Sequence, residues 1–386
     1  MPSRDDVHYF GAGPAPLPTA ILEEASKVIL NYNDSGVGIA EISHRSPEAN
    51  AILANAKSGL RQLLDIPDSE GPDGYEILFL HGGGSGEFSA TVYHMVSVWV
   101  ARQLRQLKES GVKEDNIVEK LREVLEKKMR LDYLVTGSWS LKASQEAARL
   151  VGIDGVEFQS TPSGHNLIAD MSSNFLSRPI NVRKHAAIFG GAQKNIGTTG
   201  ITIAIISNTL LPPHTEMPDP KIMRKLGLPI GPIVLDWPTI AKNNSLYNTL
   251  PIFDVWIASK VMDRLLHNSS GSPRISTQEA ESNKKASMLY SALDNSSGVY
   301  SVVPDKSVRS RMNICVRVKG GDADAEKAFL KGAESRGLMG LKGHRSVGGV
   351  RISNYNAVPV EAAEKLTRYL EEFAKEQQEG GANGSV

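Results

Sequence analysis

Two polar residues that follow apolar runs in the middle of the chain are the strongest candidates for covalent chemistry. Asp170 ends the run "NLIAD", and Lys194 follows "HAAIFG" within the stretch "GAQKNIG". If both runs are strands of one sheet, their ends lie at the edge where ligands collect in such folds. A lysine there can form a Schiff base once its surroundings lower the pKa of its amine. A nearby carboxylate can keep a pyridinium nitrogen protonated. Taken singly, a loop lysine and a capping aspartate are the commoner interpretations.

A glycine-rich stretch and a tryptophan extend this candidate site. "HGGGSGEF" follows the apolar run "YEILFL" and precedes a helical pattern from about Phe88. Unhindered backbone N–H groups at a helix start can hold a phosphate, although a plain tight turn explains the glycines about as well. The Gly-Lys-Ser/Thr ending of a P-loop is missing. Trp139, in "TGSWS" after the predicted strand "DYLVT", could stack on a planar ring or simply pack in the core.

The segment from Ser335 to Val360 contains no Asp or Glu but carries several basic side chains, which are Arg336, Lys342, His344, Arg345 and Arg351. An enclosed arginine without a partner costs ~3–5 kcal/mol, so a pocket lined by them should bind an anion. The "SHR" stretch adds a second His-Arg pair, His44 and Arg45. Two such pairs favour a doubly anionic substrate, because arginine matches carboxylate and phosphate geometry. Exposed arginines on a loop would need no partner.

Composition narrows the class of protein. Lys and Arg number 43, as do Asp and Glu, so the overall charge gives no reason to expect a nucleic-acid or membrane partner. The single cysteine, Cys315, excludes an internal disulfide framework and fits a reducing compartment. No apolar run approaches the ~18 residues of a membrane span, and the first residues lack the pattern of a leader. We expect a cytoplasmic protein with no metal site.

Strand and helix patterns alternate along the chain. Strands are predicted at 75–80, 132–136, 166–170, 185–190, 201–206, 299–303 and 311–318, and helices at 17–31, from Ser46, 138–151, 252–267, 277–293, 323–336 and 359–377. The alternation predicts an α/β fold with a large, mainly parallel sheet covered on both faces. The charged stretch 102–130 is typical of a solvated helical excursion.

The order of these elements along the chain predicts the domain organisation. We expect an N-terminal arm over residues 1–16, a large domain over 17–260, a smaller C-terminal α+β domain over 261–378 and a disordered tail over 379–386.

Seven ordered motifs resemble those of the phosphoserine aminotransferase family. They are "FGAGPA" (10–15), "EISHRSPE" (41–48), "TGSWS" (136–140), "ADMSSNFLSRPI" (169–180), "GAQKNIG" (191–197), "NNSLYNT" (243–249) and "KGHRSVGGVR" (342–351). The resemblance implies a fold-type I pyridoxal-phosphate enzyme acting as a homodimer with active sites at the subunit interface. The implied reaction converts 3-phosphohydroxypyruvate and glutamate to O-phosphoserine and 2-oxoglutarate in serine biosynthesis.

The resemblance also implies a role for each candidate residue. Lys194 is expected to bind the cofactor as a Schiff base and to move the substrate proton, while Asp170 pairs with the pyridinium nitrogen and Trp139 stacks on the ring. The cofactor phosphate is expected on Gly84, Ser85 and Gln193, with Asn248 and Thr249 of the other subunit. The substrate anions are expected on Arg351, on His344 and Arg345, and on His44 and Arg45 of the other subunit.

The chain departs from the family pattern before "DGVEF" (154–158) and at a few single positions. Family members usually carry a few tens of additional residues there, including an Asn-Glu-Thr segment that reaches the cofactor. Either the protein has lost them or the printed sequence omits them; the intact cofactor-facing motifs favour the second explanation. Glu87 stands where glutamine is usual, and "TTG" (198–200) where proline-alanine-glycine is common. Another fold-type I enzyme acting on a different anionic amino acid, or a non-catalytic homologue, remain alternatives.

Overall fold

The computed structural model describes residues 3–152, 166–267, 274–344 and 348–382. Its α-helices are α1 (Thr19–Val28), α2 (Pro47–Leu64), α3 (Gly83–Glu109), α4 (Glu114–Lys128), α5 (Ser138–Val151), α6 (Pro220–Leu226), α7 (Trp237–Lys242), α8 (Ile252–His267), α9 (Arg274–Asn295), α10 (Ala323–Ser335) and α11 (Val360–Ala382). Its strands are β1 (His8–Tyr9), β2 (Tyr75–Leu80), β3 (Ile168–Asp170), β4 (Ala187–Gly191), β5 (Thr202–Ser207), β6 (Tyr300–Val302), β7 (Asn313–Val318), β8 (Leu338–Met339), β9 (Lys342–His344) and β10 (Gly348–Ser353). Within these ranges, no helix combines the length and apolar character needed to cross a bilayer.

The larger sheet has the strand order β2-β5-β4-β3. β3 and β4 are parallel, whereas β5 runs antiparallel to both β2 and β4, so three of the four strands point in one direction. β4 and β5 are buried along their whole length, as expected for strands covered on both faces. The predicted α/β class with a mainly parallel sheet is confirmed.

A second sheet, with the order β6-β7-β10-β9, is antiparallel throughout. β7 alternates half-buried and buried residues, the pattern of a strand with one face on a core. That core includes Phe329 of α10 and Leu366 of α11. Cys315 of β7 is a free, half-buried thiol.

The N-terminal arm packs against the C-terminal half of the chain. β1 pairs in parallel with β8, and Phe10 is fully buried in the same core as Phe329. α9 contributes Ile275 to the core beneath the larger sheet and Leu289 to the core beneath the smaller one. The predicted division at residues 260 and 261 stays a prediction.

The structure corrects one predicted strand and two predicted helix boundaries. Residues 132–136 form no strand: Tyr133 packs inward while Leu134 and Val135 are exposed, and β3 pairs only with β4 among the described residues. A strand needs a neighbouring ladder, and β propensity alone supplies none. The helix expected from about Phe88 begins at Gly83. The final helix continues to Ala382, into the expected tail; residues 383–386 lie outside the described part.

Candidate active site

Asp170 and Lys194 meet at one edge of the larger sheet, as their positions after consecutive strands predict. Asp170 is the last residue of β3 and lies beside Phe189 of β4. The chain then leaves β4 at Gly191 and reaches Lys194 at the same edge. The charges of both Asp170 and Arg351 act on the Lys194 amine, so the three side chains belong to one site.

The environment of Lys194 favours the neutral amine. Burial is the main cause that lowers the pKa of Lys194, and the positive charge of Arg351 lowers it further. The Asp170 carboxylate opposes both effects and raises it. The net lowering matters chemically because only the unprotonated amine is nucleophilic.

Ser172, which the sequence analysis did not single out, holds the Asp170 carboxylate in place. Its backbone N–H and its hydroxyl both donate to Asp170 Oδ1, at 2.9 and 2.6 Å. The Ser172 hydroxyl oxygen in turn accepts a hydrogen bond from the Gly191 N–H at 3.2 Å. A serine two residues after an aspartate commonly forms such a local bond, so the spacing in "ADMSS" was an available signal.

The N-terminus of α3 reaches the same place. A Cβ added at Gly84 would lie 3.4 Å from Ser172 Oγ and 3.9 Å from Asp170 Oδ2. The helix enters through Gly82 and Gly83, whose φ values of 101° and 64° suit glycine. The first backbone N–H groups of any helix lack partners inside it, and the helix dipole makes this end positive. The glycine-rich stretch therefore forms the first turn of α3, whose unpaired N–H groups could hold an anion.

The other expected phosphate ligands occupy two places. Gln193 directly precedes Lys194, and its carbonyl accepts a hydrogen bond from the Ala15 N–H at 2.9 Å, which ties the N-terminal arm to the site. Asn248 and Thr249 are exposed, and the Thr249 carbonyl lies 2.9 Å from His81 Nε2 of the same chain. Their surface position leaves both side chains accessible to another subunit.

Trp139 lies in the first turn of α5 and is 56% exposed. The Lys142 ammonium lies 4.4 Å from the centroid of its ring, a cation–π arrangement. The tryptophan is therefore not a core residue, which removes the packing interpretation for this position.

Two of the expected anion-binding side chains have buried nitrogens without a hydrogen-bond partner among the described residues, namely Arg351 Nε on β10 and His44 Nε2. A buried donor left unsatisfied costs ~1–3 kcal/mol, and an anionic ligand beside Arg351 would satisfy its Nε–H. Arg45 is exposed. His344 ends β9, opposite Gly348 of β10, and Arg345 lies outside the described residues.

A hydrogen-bond chain links Lys194 to the strand that carries Arg351. Asn195, which follows Lys194, accepts from the Asn356 N–H at 3.0 Å and donates to the Ser173 carbonyl at 3.3 Å. The Asn356 amide donates to the Leu176 carbonyl at 2.8 Å. No local pattern in the sequence predicts this pair, because its two partners lie 161 residues apart.

These features fit pyridoxal phosphate. The site joins an amine with a lowered pKa, an oriented carboxylate and a positive helix end, which suit the aldehyde, the ring nitrogen and the phosphate of that molecule. Lys194, Asp170 and the first turn of α3 are the residues that would hold it.

Comparison with known proteins identifies the family. The aminotransferase class-V model matches residues 153–366. Phosphoserine aminotransferase from Saccharomyces cerevisiae is 35% identical, with 96% of this chain and 98% of the yeast protein aligned. The Geobacillus kaustophilus phosphoserine aminotransferase is 36% identical, with 95% and 98% aligned. The yeast alignment, at 422 positions, is longer than this chain, so part of the yeast protein has no counterpart here.

Solved structures agree in fold. The phosphoserine aminotransferase of Bacillus circulans subsp. alkalophilus superposes with a TM-score of 0.76 at 31% identity, covering 95% of this chain and 98% of that one. A pyridoxal-phosphate-bound phosphoserine aminotransferase from Trichomonas vaginalis gives a TM-score of 0.73 at 29% identity, covering 95% and 99%. The chain belongs to the phosphoserine aminotransferase family of class-V aminotransferases and is a pyridoxal-phosphate-dependent transaminase of fold type I.

Proposed function

We propose that this chain converts 3-phosphohydroxypyruvate and glutamate to O-phosphoserine and 2-oxoglutarate, the transamination of serine biosynthesis. The observation that carries the proposal is the meeting of Lys194, Asp170 and Arg351 at one sheet edge, in a chain similar over nearly its whole length to phosphoserine aminotransferases. The alternatives are another fold-type I enzyme acting on a different anionic amino acid and a non-catalytic homologue.

Lys194 and Asp170 perform the proton chemistry in this proposal. Bound pyridoxal phosphate supplies an electron sink that stabilises negative charge at the substrate α-carbon. Lys194 would bind the cofactor through its amine. Once the substrate amine has displaced it, the freed Lys194 amine would take the proton from the substrate α-carbon as a general base and deliver it to C4′ of the cofactor as a general acid. Asp170, held by Ser172, keeps the proton on the ring nitrogen.

The basic side chains select the substrates. Arg351 binds the α-carboxylate shared by both amino acids, and its buried Nε supports a directed bond. His344 and Arg345, with His44 and Arg45 of the partner subunit, bind the substrate phosphate or the distal carboxylate of glutamate. One pocket thus accepts the two substrates in turn, which implies ping-pong kinetics.

The remaining assignments concern the cofactor. Gly84, Ser85 and Gln193 bind its phosphate, completed by Asn248 and Thr249 of the partner subunit. Trp139 stacks on the ring, a role supported by its exposed position in the first turn of α5.

A homodimer follows from these assignments, since each site needs residues of both subunits. We also propose a cytoplasmic location, which the single free cysteine supports. Two folding units, divided near residue 260, are proposed on the two separate cores.

Substitution of the lysine tests the proposal. Lys194→Ala is expected to abolish formation of 2-oxoglutarate from glutamate and 3-phosphohydroxypyruvate, because the Schiff base and the proton transfer both need this amine. Lys184→Ala is the matched control, because Lys184 is an exposed lysine that lies just before β4 in the sequence. This variant should retain activity.

The outcomes separate the alternatives. Activity in Lys194→Ala would contradict the catalytic assignment. A wild-type enzyme that transaminates other acidic amino acids but not phosphoserine would favour a different fold-type I activity. A wild-type protein that binds no pyridoxal phosphate would favour the non-catalytic alternative.

A further inference from the structure

Glu87 is a fully buried carboxyl group one turn into the helix that meets the active site. It lies on α3 after the glycine-rich first turn, and its side chain is 0% exposed. The indole N–H of Trp237 donates to Glu87 Oε2 at 3.2 Å. The other oxygen, Oε1, is buried and has no hydrogen-bond partner among the described residues.

The elements packed around Glu87 supply no compensating cation. On α3 itself, burial lowers the pKa of His94 to about 4, and its ring lies 4.8 Å from that of Trp237. At the start of α7, the Asp236 carboxylate caps the helix by accepting from Thr239. β4 and the 233–235 turn, which also contact α3, contain no titratable side chain.

The remaining neighbours of α3 are α4 and α5. α4 packs further along α3, where its Leu125 lies against the cluster of Val96 and Val100. On α5, Glu146 accepts hydrogen bonds from Ser89 of α3 and from Arg149. Arg149 is thereby engaged by Glu146 on the exposed side of α5. Among the described residues, no ion pair reaches Glu87. A buried charge without a partner is strongly disfavoured, so the carboxyl group takes the neutral form.

The direction of its titration follows from this burial. Burial raises the pKa of Glu87 to about 8, and the hydrogen bond from Trp237 partly opposes the rise. Glu87 is therefore a carboxylic acid at neutral pH and becomes an anion only in mildly alkaline solution.

Because Glu87 lies near the N-terminus of α3, its charge affects any phosphate bound there. The first turn of α3 presents its backbone N–H groups and the positive end of its dipole to the place assigned to the cofactor phosphate. An anion one turn further along, shielded from water, repels a phosphate dianion bound at that end. A neutral acid at the same position does not.

We propose that Glu87 is a positioning residue for the cofactor phosphate. As an uncharged acid tied to Trp237 it leaves the positive end of α3 to the phosphate, and its deprotonation weakens cofactor binding. The inference rests on the assignment of this helix end to the phosphate under the proposed function.

Binding of pyridoxamine 5′-phosphate to the full-length protein freed of its cofactor tests this without Schiff-base chemistry. The dissociation constant is measured by calorimetry from about pH 6.5 to 9.5, across the range in which the phosphate stays dianionic and Glu87 titrates. Glu87→Gln is the matched variant, because it keeps the shape and remains neutral. Titrations of the ligand itself cancel in the ratio of the two dissociation constants.

The wild-type constant divided by the Glu87→Gln constant should rise about tenfold or more between neutral and alkaline pH. A ratio that stays flat overturns the proposal while leaving the proposed function intact. If neither protein binds pyridoxamine 5′-phosphate, the cofactor assignment of this site fails and the proposal fails with it.

Two further measurements test the charge state of Glu87 without relying on the dissociation constants of the Glu87→Gln variant. Infrared difference spectra of wild type minus Glu87→Gln at neutral pH should show the carbonyl stretch of a protonated carboxyl group; a carboxylate band instead overturns the proposal. Trp237→Phe removes the hydrogen bond that favours the Glu87 anion, so the pKa of Glu87 should rise further. The pH at which this variant loses affinity for pyridoxamine 5′-phosphate should therefore be higher than in the wild type. A shift to lower pH contradicts the proposed geometry.

Discussion

At the scale of single residues, the site depends on side chains that orient the chemical groups. Asp170 is exposed, so its position is not determined by packing. Two hydrogen bonds from Ser172 fix one of its oxygens, and the shorter, at 2.6 Å, is typical of a charge-assisted bond. Ser172 is therefore a positioning residue for Asp170 in the proposed reaction.

Ser172→Ala should lower kcat by about tenfold and leave KM for glutamate nearly unchanged, because the oriented carboxylate serves the reaction more than binding. Stability should fall by about 1–3 kcal/mol, because the substitution removes both hydrogen bonds of the hydroxyl group, to Asp170 and from the Gly191 N–H. Steady-state kinetics would measure kcat and KM, and visible circular dichroism would report the orientation of the bound cofactor.

Ser172→Thr is the control, because it keeps the hydroxyl group. It should restore most of kcat and the visible circular dichroism. If the alanine and threonine variants lose activity equally, Ser172 acts through packing and not through Asp170.

At the scale of elements, the start of α3 determines how the phosphate can be held. The glycines allow backbone N–H groups to approach a ligand closely, and at Gly84 an added methyl group would point toward Ser172 and Asp170. The contact distance of 3.4 Å is ordinary, so the substitution should not strain the protein.

Gly84→Ala should weaken pyridoxal phosphate binding about tenfold or more, because the methyl group occupies space beside the phosphate cradle. The free energy of unfolding of the cofactor-free protein should change by less than about 1 kcal/mol. Equilibrium dialysis of the cofactor and urea unfolding measure the two quantities.

Gly86→Ala lies on the same helix and provides the matched control. Its methyl group would lie 3.6 Å from the His81 carbonyl oxygen, away from Asp170. Equal losses of cofactor affinity in both variants would show that helix stiffness, and not access to the cradle, is what matters.

At the scale of the whole molecule, the proposed function needs a second copy of the chain. Arg45 is exposed and Lys194 is partly buried within the same chain, which suits a site shared between subunits. Arg45→Ala should lower phosphoserine turnover at least roughly tenfold, through loss of a guanidinium contact with an anion.

Mixing Lys194→Ala with Arg45→Ala under conditions of subunit exchange should recover about a quarter of wild-type activity, because half of the dimers then carry one intact site of two. Each variant alone provides the baseline, and sedimentation confirms the dimer. A dimer that gives no recovery would place Arg45 in the site of its own subunit.

Buried hydrogen bonds connect the core of the larger sheet to the core of the smaller sheet. Lys285 of α9 is fully buried and donates to the carbonyls of Tyr355 and Val358, at 3.0 and 2.6 Å. Between them, Asn356 is bonded to Asn195 beside Lys194. The segment after β10 therefore connects the strand that carries Arg351 to the edge of the larger sheet where Lys194 lies.

Local patterns determined much of this architecture. The apolar runs at 75–80, 185–190 and 201–206 form strands, and the helix predicted from Ser46 is α2, which Ser46 caps by accepting a hydrogen bond from the Ala49 N–H. The meeting of Asp170 and Lys194 was also predictable, because strand ends in an α/β sheet share an edge. These features depend on neighbours in sequence or on a general rule of the fold.

Other features were decided only by the tertiary structure. Residues 132–136 have strand propensity but pair with no strand among the described residues. The pKa of Glu87 is raised because the packed structure buries its carboxyl group against Trp237 of α7. The Asn195–Asn356 link joins distant segments. Partners, burial and the electrostatic field at a side chain arise when remote parts of the chain pack together, so no local pattern encodes them.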